Sequence, residues 1–243
     1  MTASTFPQLL DQQLRAAPGR PLVTYYDDAT AERVELSVTT YANWVAKTAG
    51  LLQDELDVVA GDIVAIDLPV HWLGPVWLGA VWSLGAIAAP AGTSGADLVV
   101  CGPAGLSEYA EGGPQVVACS LLPMGVRFRD ALPPGVVDFG AVVWGQPDVF
   151  VPSDQVTAEH TAWTGGPGAP LAQRQLLADN EAVETGVRLL TDTNPCTASG
   201  LGAFLGPLSA GGGTVWVRHA AEDSWEPRAT TEQATQVLRQ PRS

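Results

Sequence analysis

The stretch Gly61-Asp62-Ile63-Val64-Ala65-Ile66-Asp67-Leu68, followed a few residues later by Val76-Trp77-Leu78-Gly79-Ala80-Val81-Trp82-Ser83-Leu84-Gly85-Ala86-Ile87-Ala88-Ala89-Pro90, decides the fold. Gly61-Asp62 marks a turn, and Ile63–Leu68 is an apolar run of strand length. No Asp, Glu, Lys or Arg occurs from Leu68 to Ala96, which passes a crude length test for a membrane span. Punctuation argues otherwise. Pro75 comes early, Gly85 follows the apolar run and Pro90 blocks continuation, so the helix is about a dozen residues against the ~20 that a bilayer needs. No Lys/Arg cluster flanks it to set an orientation. Strand, buried helix around Val76–Leu84 and strand Ala86–Ala89 make a β-α-β unit, hence a parallel sheet and an α/β fold.

Working outward, Phe6, Leu9, Leu10 and Leu14 have helical spacing that ends at Pro18-Gly19. Pro21–Tyr26 and Arg33–Ser37 read as a hairpin about the turn Asp27-Asp28-Ala29-Thr30. Ser37 is placed to cap a helix of about fifteen residues whose apolar face includes Tyr41, Trp44, Val45 and Leu52. Leu98–Cys101 and Gln115–Ala118 are further apolar runs, and Gly92-Thr93-Ser94-Gly95 reads as a plain turn. The Pro/Gly-rich region between Leu121 and Pro152 suggests two lobes, 1–145 and 146–243. Downstream, the pattern predicts a long helix over Leu171–Leu190, a shorter one over Leu201–Leu208, a strand at Thr214–Val217 and a last helix over Thr231–Arg239.

The chain has 243 residues, 46% hydrophobic and 16% charged, with a formal charge of −14. Such a chain should fold. Its acidity disfavours nucleic acid and anionic membrane surfaces as partners. Of the 12 basic residues only Lys47 is a lysine. It follows no Gly loop, so Walker-type phosphate binding is absent, and neither the protein-kinase pattern nor a pocketed Schiff-base lysine is present. Lys47 reads as a solvated helical residue. Cys101, Cys119 and Cys196 lack disulfide or zinc spacing, and His71, His160 and His219 stand apart, so reduced buried thiols, no metal site and a cytoplasmic location are expected. The start, Met1-Thr2-Ala3-Ser4-Thr5, lacks the marks of a secretory signal.

Other catalytic patterns fail. No Gly-x-Ser-x-Gly elbow occurs, and Gly200-Leu201-Gly202 followed by Gly206 lacks Rossmann spacing. Asp27/Asp28 and Glu222/Asp223 lie in turn-like or tail segments and read as solvated carboxylates. Trp72, Trp77 and Trp82, five residues apart, fall about 140° apart on a helix and form no single stripe. Core packing with a polar contact at each indole N–H is expected of them. Trp144 and Trp163 are candidates to line a cleft.

The order of segments resembles the amino-terminal part of the adenylate-forming enzymes, a superfamily of acyl-CoA synthetases, peptide-synthetase adenylation domains and luciferases. The resemblance runs through Glu35-Leu36-Ser37, Ala42-Asn43, Gly61–Pro69 and Leu78–Ala86, then Gly200-Leu201, Gly206-Pro207-Leu208 and Gly211–Val215. It implies parallel or mixed sheets with helices on both faces. It also implies ATP-dependent activation of a carboxylate, with transfer of the acyl-adenylate to a thiol. In that family a Ser/Thr/Gly-rich loop ending in Pro-Lys-Gly wraps the phosphates, closely spaced amides and hydroxyls holding a polyanion that a lysine neutralises.

Here the matching stretch is Thr161-Ala162-Trp163-Thr164-Gly165-Gly166-Pro167-Gly168-Ala169-Pro170. Thr161, Thr164 and Gly166 follow the family loop, whereas Ala162 replaces its Ser, Trp163 its first Gly and Ala169 its Lys. Losing the cation opposite a triphosphate should cost about 2–5 kcal/mol. The family's substrate-side His falls at Thr197. After Val217 the sequence offers no adenine loop, ribose-binding Asp or mobile carboxy-terminal domain, for which the remaining residues are too few.

The reading that follows is a non-catalytic, shortened relative, a pseudoenzyme acting as a binding, regulatory or interaction module with no required cofactor. Thr161, Thr164, Gly165, Gly166 and Arg174 form its residual nucleotide site, open to ATP, AMP or CoA, with Arg174 as replacement cation. The alternatives are a divergent acid–thiol ligase completed by a partner chain, and a scaffold subunit or homo-oligomer.

Overall fold

The computed structural model describes residues 3–109, 113–166, 168–178 and 183–240. Helix α1 (Phe6–Ala16) is capped by Thr5, whose side chain accepts from the Gln8 N–H, and it buries Phe6, Leu9, Leu10 and Gln13. Strands β1 (Pro21–Asp27) and β2 (Glu32–Ser37) form the expected antiparallel hairpin. Ser37 caps α2 (Val38–Gly50), its Oγ accepting from Thr40 N at 3.1 Å, and the chain continues as a π-turn through Leu51–Glu55. Then come β3 (Ile63–Asp67), α3 (Leu73–Leu84) and β4 (Ile87–Pro90), with β3 and β4 parallel. The β-α-β unit is as the sequence implied. No helix among the described residues is long and apolar enough to cross a membrane.

The chain continues through β5 (Leu98–Cys101), α4 (Leu106–Tyr109), β6 (Gln115–Ala118), β7 (Val136–Asp138) and α5 (Phe139–Val142). It then forms β8 (Thr161–Trp163), β9 (Leu171–Ala172), α6 (Gln173–Ala178), β10 (Arg188–Thr191), α7 (Leu201–Ser209), β11 (Gly213–Arg218), α8 (Trp225–Thr231) and β12 (Gln236–Leu238). One sheet has the order β12-β10-β11-β1-β2 and the other β7-β6-β5-β3-β4-β8-β9. Their pairings are parallel except β1/β2 and β8/β9. Both sheets take strands from both sides of residues 145 and 146.

Two predicted helices are corrected. In Leu171–Leu190 the first two residues are β9, only Gln173–Ala178 is helical, and Arg188–Thr191 is β10; residues 179–182 lie outside the described ones. Leu189 and Leu190 fit a buried helix or a buried strand equally well, but they pair in parallel register with Thr214 and Val215, where the sheet buries them. At the tail, α8 ends at Thr231. Gln233 takes a left-handed backbone (φ 52°), and Gln236–Leu238 pairs with β10 as an edge strand.

All twelve residues of α3 are buried. Its three-tryptophan spacing works as the geometry required, each ring facing a different neighbour. Trp72 meets Trp44 (ring centroids 5.0 Å apart), Trp77 meets Phe139 (5.0 Å) and Trp82 meets Phe6 (5.3 Å). The polar contact expected at each indole exists at Trp82, whose Nε1 donates to the Ala162 carbonyl at 2.8 Å. At Trp72 the N–H is buried with no partner among the described residues.

A helix without a solvent face must have its end groups satisfied by protein. At the start of α3 the Leu73 and Gly74 N–H groups donate to His71, to its Nδ1 at 3.2 Å and its carbonyl at 3.0 Å, and the Tyr41 hydroxyl adds a bond to the Pro75 carbonyl at 2.8 Å. At the other end Gly85 takes a left-handed conformation (φ 83°), and the amide of Gln173, itself fully buried, donates to the Trp82 carbonyl at 3.1 Å while accepting from Phe6 N at 2.9 Å. Gln173 thereby joins α6, α3 and the first turn of α1. Gly79 lets α2 approach, since a Cβ there would run into the Tyr41 hydroxyl, Val45 and Phe6. Gln173→Leu should lower the unfolding free energy by about 2–3 kcal/mol in urea titrations, because it strands a buried N–H and weakens the cap of α3. Gly79→Ala should cost about 1–3 kcal/mol by overpacking.

Candidate functional site

In open parallel sheets, ligands bind beyond the carboxyl ends of the strands. Here the carboxyl ends of β3, β4 and β8, from one sheet, meet the segment that follows β10 in the other. Asn194 Nδ2 donates to the Leu68 carbonyl at 2.8 Å, tying the β10–α7 connection to the end of β3. Within that connection Asn194 Oδ1 accepts from Cys196 N (3.0 Å) and the Asn194 carbonyl accepts from Thr197 Oγ1 (2.9 Å). Thr197 is thus a hydroxyl spent on its own turn.

The degenerate loop leaves β8 at this junction. Thr164 N donates to the Ala88 carbonyl at 3.0 Å, continuing the β4–β8 pairing. Gly165 has φ 81°, and a Cβ on it would lie 2.6 Å from Thr93 Oγ1; one on Gly166 would lie 2.9 Å from the Ala198 Cβ. The two glycines are therefore wedged between the Pro90–Thr93 turn and the β10–α7 connection. Thr93 Oγ1 donates to the Pro90 carbonyl at 2.8 Å, so Gly92–Gly95 is the turn the sequence suggested. Trp163 is only 3% exposed and belongs to the main core, with its indole N–H beside Gly166 and no partner among the described residues. Ala162 is fully buried, and its carbonyl serves Trp82. Pro167 lies outside the described residues.

Of the residues singled out by sequence, Thr161, Thr164, Gly165 and Gly166 follow one another along β8 and out of its carboxyl end. Arg174 is not brought to them. Its guanidinium pairs with Glu159, its backbone N–H donates to the Ala158 carbonyl (3.1 Å), and both partners precede β8. Glu159 and Gly165 are six positions apart, up to roughly 20 Å of extended chain. Hydroxyls and amides remain around the junction, but the identified replacement cation points elsewhere. The thiol at the junction, Cys196, is buried, and that burial pushes it far above the usual thiol range. Cys101, also buried, is pushed up to about 11. Among the described residues no cluster of His, Cys, Asp and Glu is arranged to hold a metal ion.

Two sequence readings of charged residues are corrected. Asp27 is buried, not solvated: its Oδ1 accepts from Ala29 N (2.9 Å) and faces His219 Nδ1 (2.8 Å). Asp28 accepts from Arg228 Nη2 (2.5 Å), Ser224 Oγ (2.9 Å) and Ala221 N (3.0 Å). Burial raises both carboxyls, but these donors outweigh it and hold them below their ordinary value. Lys47 is likewise no solvated lysine. It bonds the Gln146 carbonyl and pairs with Asp148 at 3.0 Å, its side chain only 18% exposed.

Beside Asp27, at the carboxyl end of β1, lies a group that sequence reasoning missed. His71 is 1% exposed, its ring 4.8 Å from that of Tyr25. Its Nδ1 accepts from Leu73 N at 3.2 Å, which leaves the proton on Nε2, buried without a partner among the described residues. A histidine in an apolar stretch carries no local sign of this. Only assembly of the two sheets buries it.

No family model matches the chain. Among solved structures, an acyl-CoA synthetase of Brucella canis superposes on 97% of this chain with a TM-score of 0.80 at 23% identity, using 47% of its own length. An anthranilate CoA ligase in complex with anthranoyl-AMP matches 96% of the chain (TM-score 0.75, 13% identity, 48% of its length). A benzoate CoA ligase of Burkholderia xenovorans matches 96% (TM-score 0.73, 14% identity, 49% of its length). The fold is that of the N-terminal part of the adenylate-forming enzymes, and the chain spans about half the length of these neighbours. A Mycobacterium tuberculosis protein described as a TIGR03089 family protein is 39% identical over 247 residues, covering 95% of this chain and 96% of the relative. The chain belongs to that family.

Burial, with Arg218 adding, pushes His71 down to about 3. The unfolded chain, with an ordinary histidine near 6.5, takes up the proton first. Stability should therefore fall on acidification, by about 1.4 kcal/mol per pH unit once the unfolded histidine is protonated. Urea unfolding at several pH values between about 6 and 5 should show this slope, and His71→Leu should flatten it.

Proposed function

We propose that this protein is a non-catalytic member of the adenylate-forming fold, a binding or regulatory module for a small acyl or nucleotide ligand. The observation that carries the reading is the state of the loop after β8. Gly165 and Gly166 are packed against Thr93 and Ala198, Ala169 stands where the family has lysine, and Arg174 is held by Glu159. A triphosphate brought there would gain amide and hydroxyl contacts without the charge neutralisation on which adenylation depends. A monoanionic or neutral ligand loses much less by that absence.

In a coupled pyrophosphate-release assay across a broad panel of carboxylic acids, the purified chain should give no ATP-dependent turnover above the protein-free control. Thermal-shift titrations should give ATP no advantage over AMP. A ligand at 100 times its dissociation constant adds ~2.7 kcal/mol of stability, enough to be read. Turnover by the chain alone, or a marked preference for ATP, would overturn the reading. Turnover only when a second chain is added would mark the protein as a ligase subunit instead.

A further inference from the structure

The chain's single lysine and the half-exposed Trp144 meet at one cleft, which none of the glycine-loop residues lines. It has a volume of about 530 Å³, within the range of small-molecule sites, and its walls include Trp44, Trp72, Trp144, Met124, Lys47 and Asp148. Trp44 is the middle of three indoles. Its ring stands edge-on to Trp72 (5.0 Å, 67°) and to Trp144 (5.1 Å, 71°). Trp44 and Lys47, three residues apart on α2, share one helix face.

The lip of this cleft is apolar and unusual in its backbone. Trp144 is 48% exposed and Met124 63%, in a chain of net charge −14. Exposed large apolar side chains grouped at a cavity mouth mark a binding surface. Met124 has φ 64°, a conformation rarely adopted by residues other than glycine, and Gly125 follows at φ 62°. A Cβ at Gly125 would lie 3.3 Å from Trp72 Cη2 and 3.5 Å from Trp44 Cη2, so the backbone runs close against the indoles there, with Met124 beside it at the cleft. The charges in the lining balance: Arg33 and Lys47 against Glu35 and Asp148, with Arg33 paired to Glu35 at 2.7 Å and Lys47 to Asp148.

We propose that this cleft binds a small, planar, uncharged aromatic molecule, its ring held against Trp44 and Trp144 beneath the Met124 thioether. Aromatic edges and faces and a polarizable sulfur favour a flat π-system. The internally paired charges give neither an anion nor a cation a vacant counter-ion.

The test uses 2-naphthol as probe, with 2-naphthoate, a 2-naphthyl trimethylammonium salt and cyclohexanol as comparisons. Binding is read by calorimetry and by the indole N–H signals of the eight tryptophans. Saturable binding of 2-naphthol that moves the Trp144 and Trp44 signals, with each comparison compound weaker, is the expected result. Trp144→Ala, which loses an edge-on ring contact, should stay folded with a melting temperature lowered by a few degrees, and Met124→Ala should keep the wild-type value, while 2-naphthol weakens by about tenfold and several-fold, respectively. Absence of saturable binding, unchanged affinity in both variants, or tighter binding of the carboxylate or the ammonium compound would overturn the proposal.

Discussion

A helix with no face to water constrains everything around it. Because α3 is buried along its whole length, water cannot serve its terminal carbonyls, and the free energy gained by burying Leu73–Leu84 is realised only if protein groups do so. At the carboxyl end that group is Gln173, at the start of α6, while near the amino end the Tyr41 hydroxyl on α2 adds a tie to the Pro75 carbonyl. Gln173 spends its oxygen on Phe6 N, so the first helix is fixed by the same side chain. The aromatic cluster of Phe6, Tyr41, Trp82, Phe204 and Trp216 then links this layer to the β1/β11 sheet. The carboxyl ends of strands from both sheets meet where Asn194, after β10, donates to the Leu68 carbonyl at the end of β3.

The charge distribution follows a related logic. In a chain with more than twice as many acids as bases, most basic side chains are taken up by structural pairs. Glu232, nearly buried, holds Arg33 and Arg188, while Asp28 holds Arg228, Glu159 holds Arg174 and Glu222 holds Arg239. Glu232 is kept ionised against its burial by Tyr26, Arg188 and Arg33, so this network ties β2, β10 and the end of α8 together. Cations committed in this way are far less able to meet a phosphate tail. The loop after β8 carries no lysine, and the arginine nearest to it in sequence serves another segment.

Much of this was legible before the structure. The β-α-β unit, the hairpin, the Ser37 cap and the Gly92–Gly95 turn rest on local periodicity and turn chemistry, which a window of ten or so residues contains. The two misread helices show where such windows fail. Adjacent apolar residues such as Leu189 and Leu190 show no period at all, and β11, absent from the window, decides that they are strand. Gln236–Leu238 is a strand because a sheet edge lies beside it.

The sequence by itself determined the α/β class, the family likeness, the absence of a lysine after β8 and the bounds of the first three helices, because these depend on residues close together in the chain. Only the tertiary structure decided that Asp27 and His71 are buried, that Arg174 turns to Glu159, and that Lys47 stands with three indoles at one cleft. Burial and ion pairing depend on which surfaces meet. Asp27 and His219 are 192 residues apart, and no local pattern records that they touch.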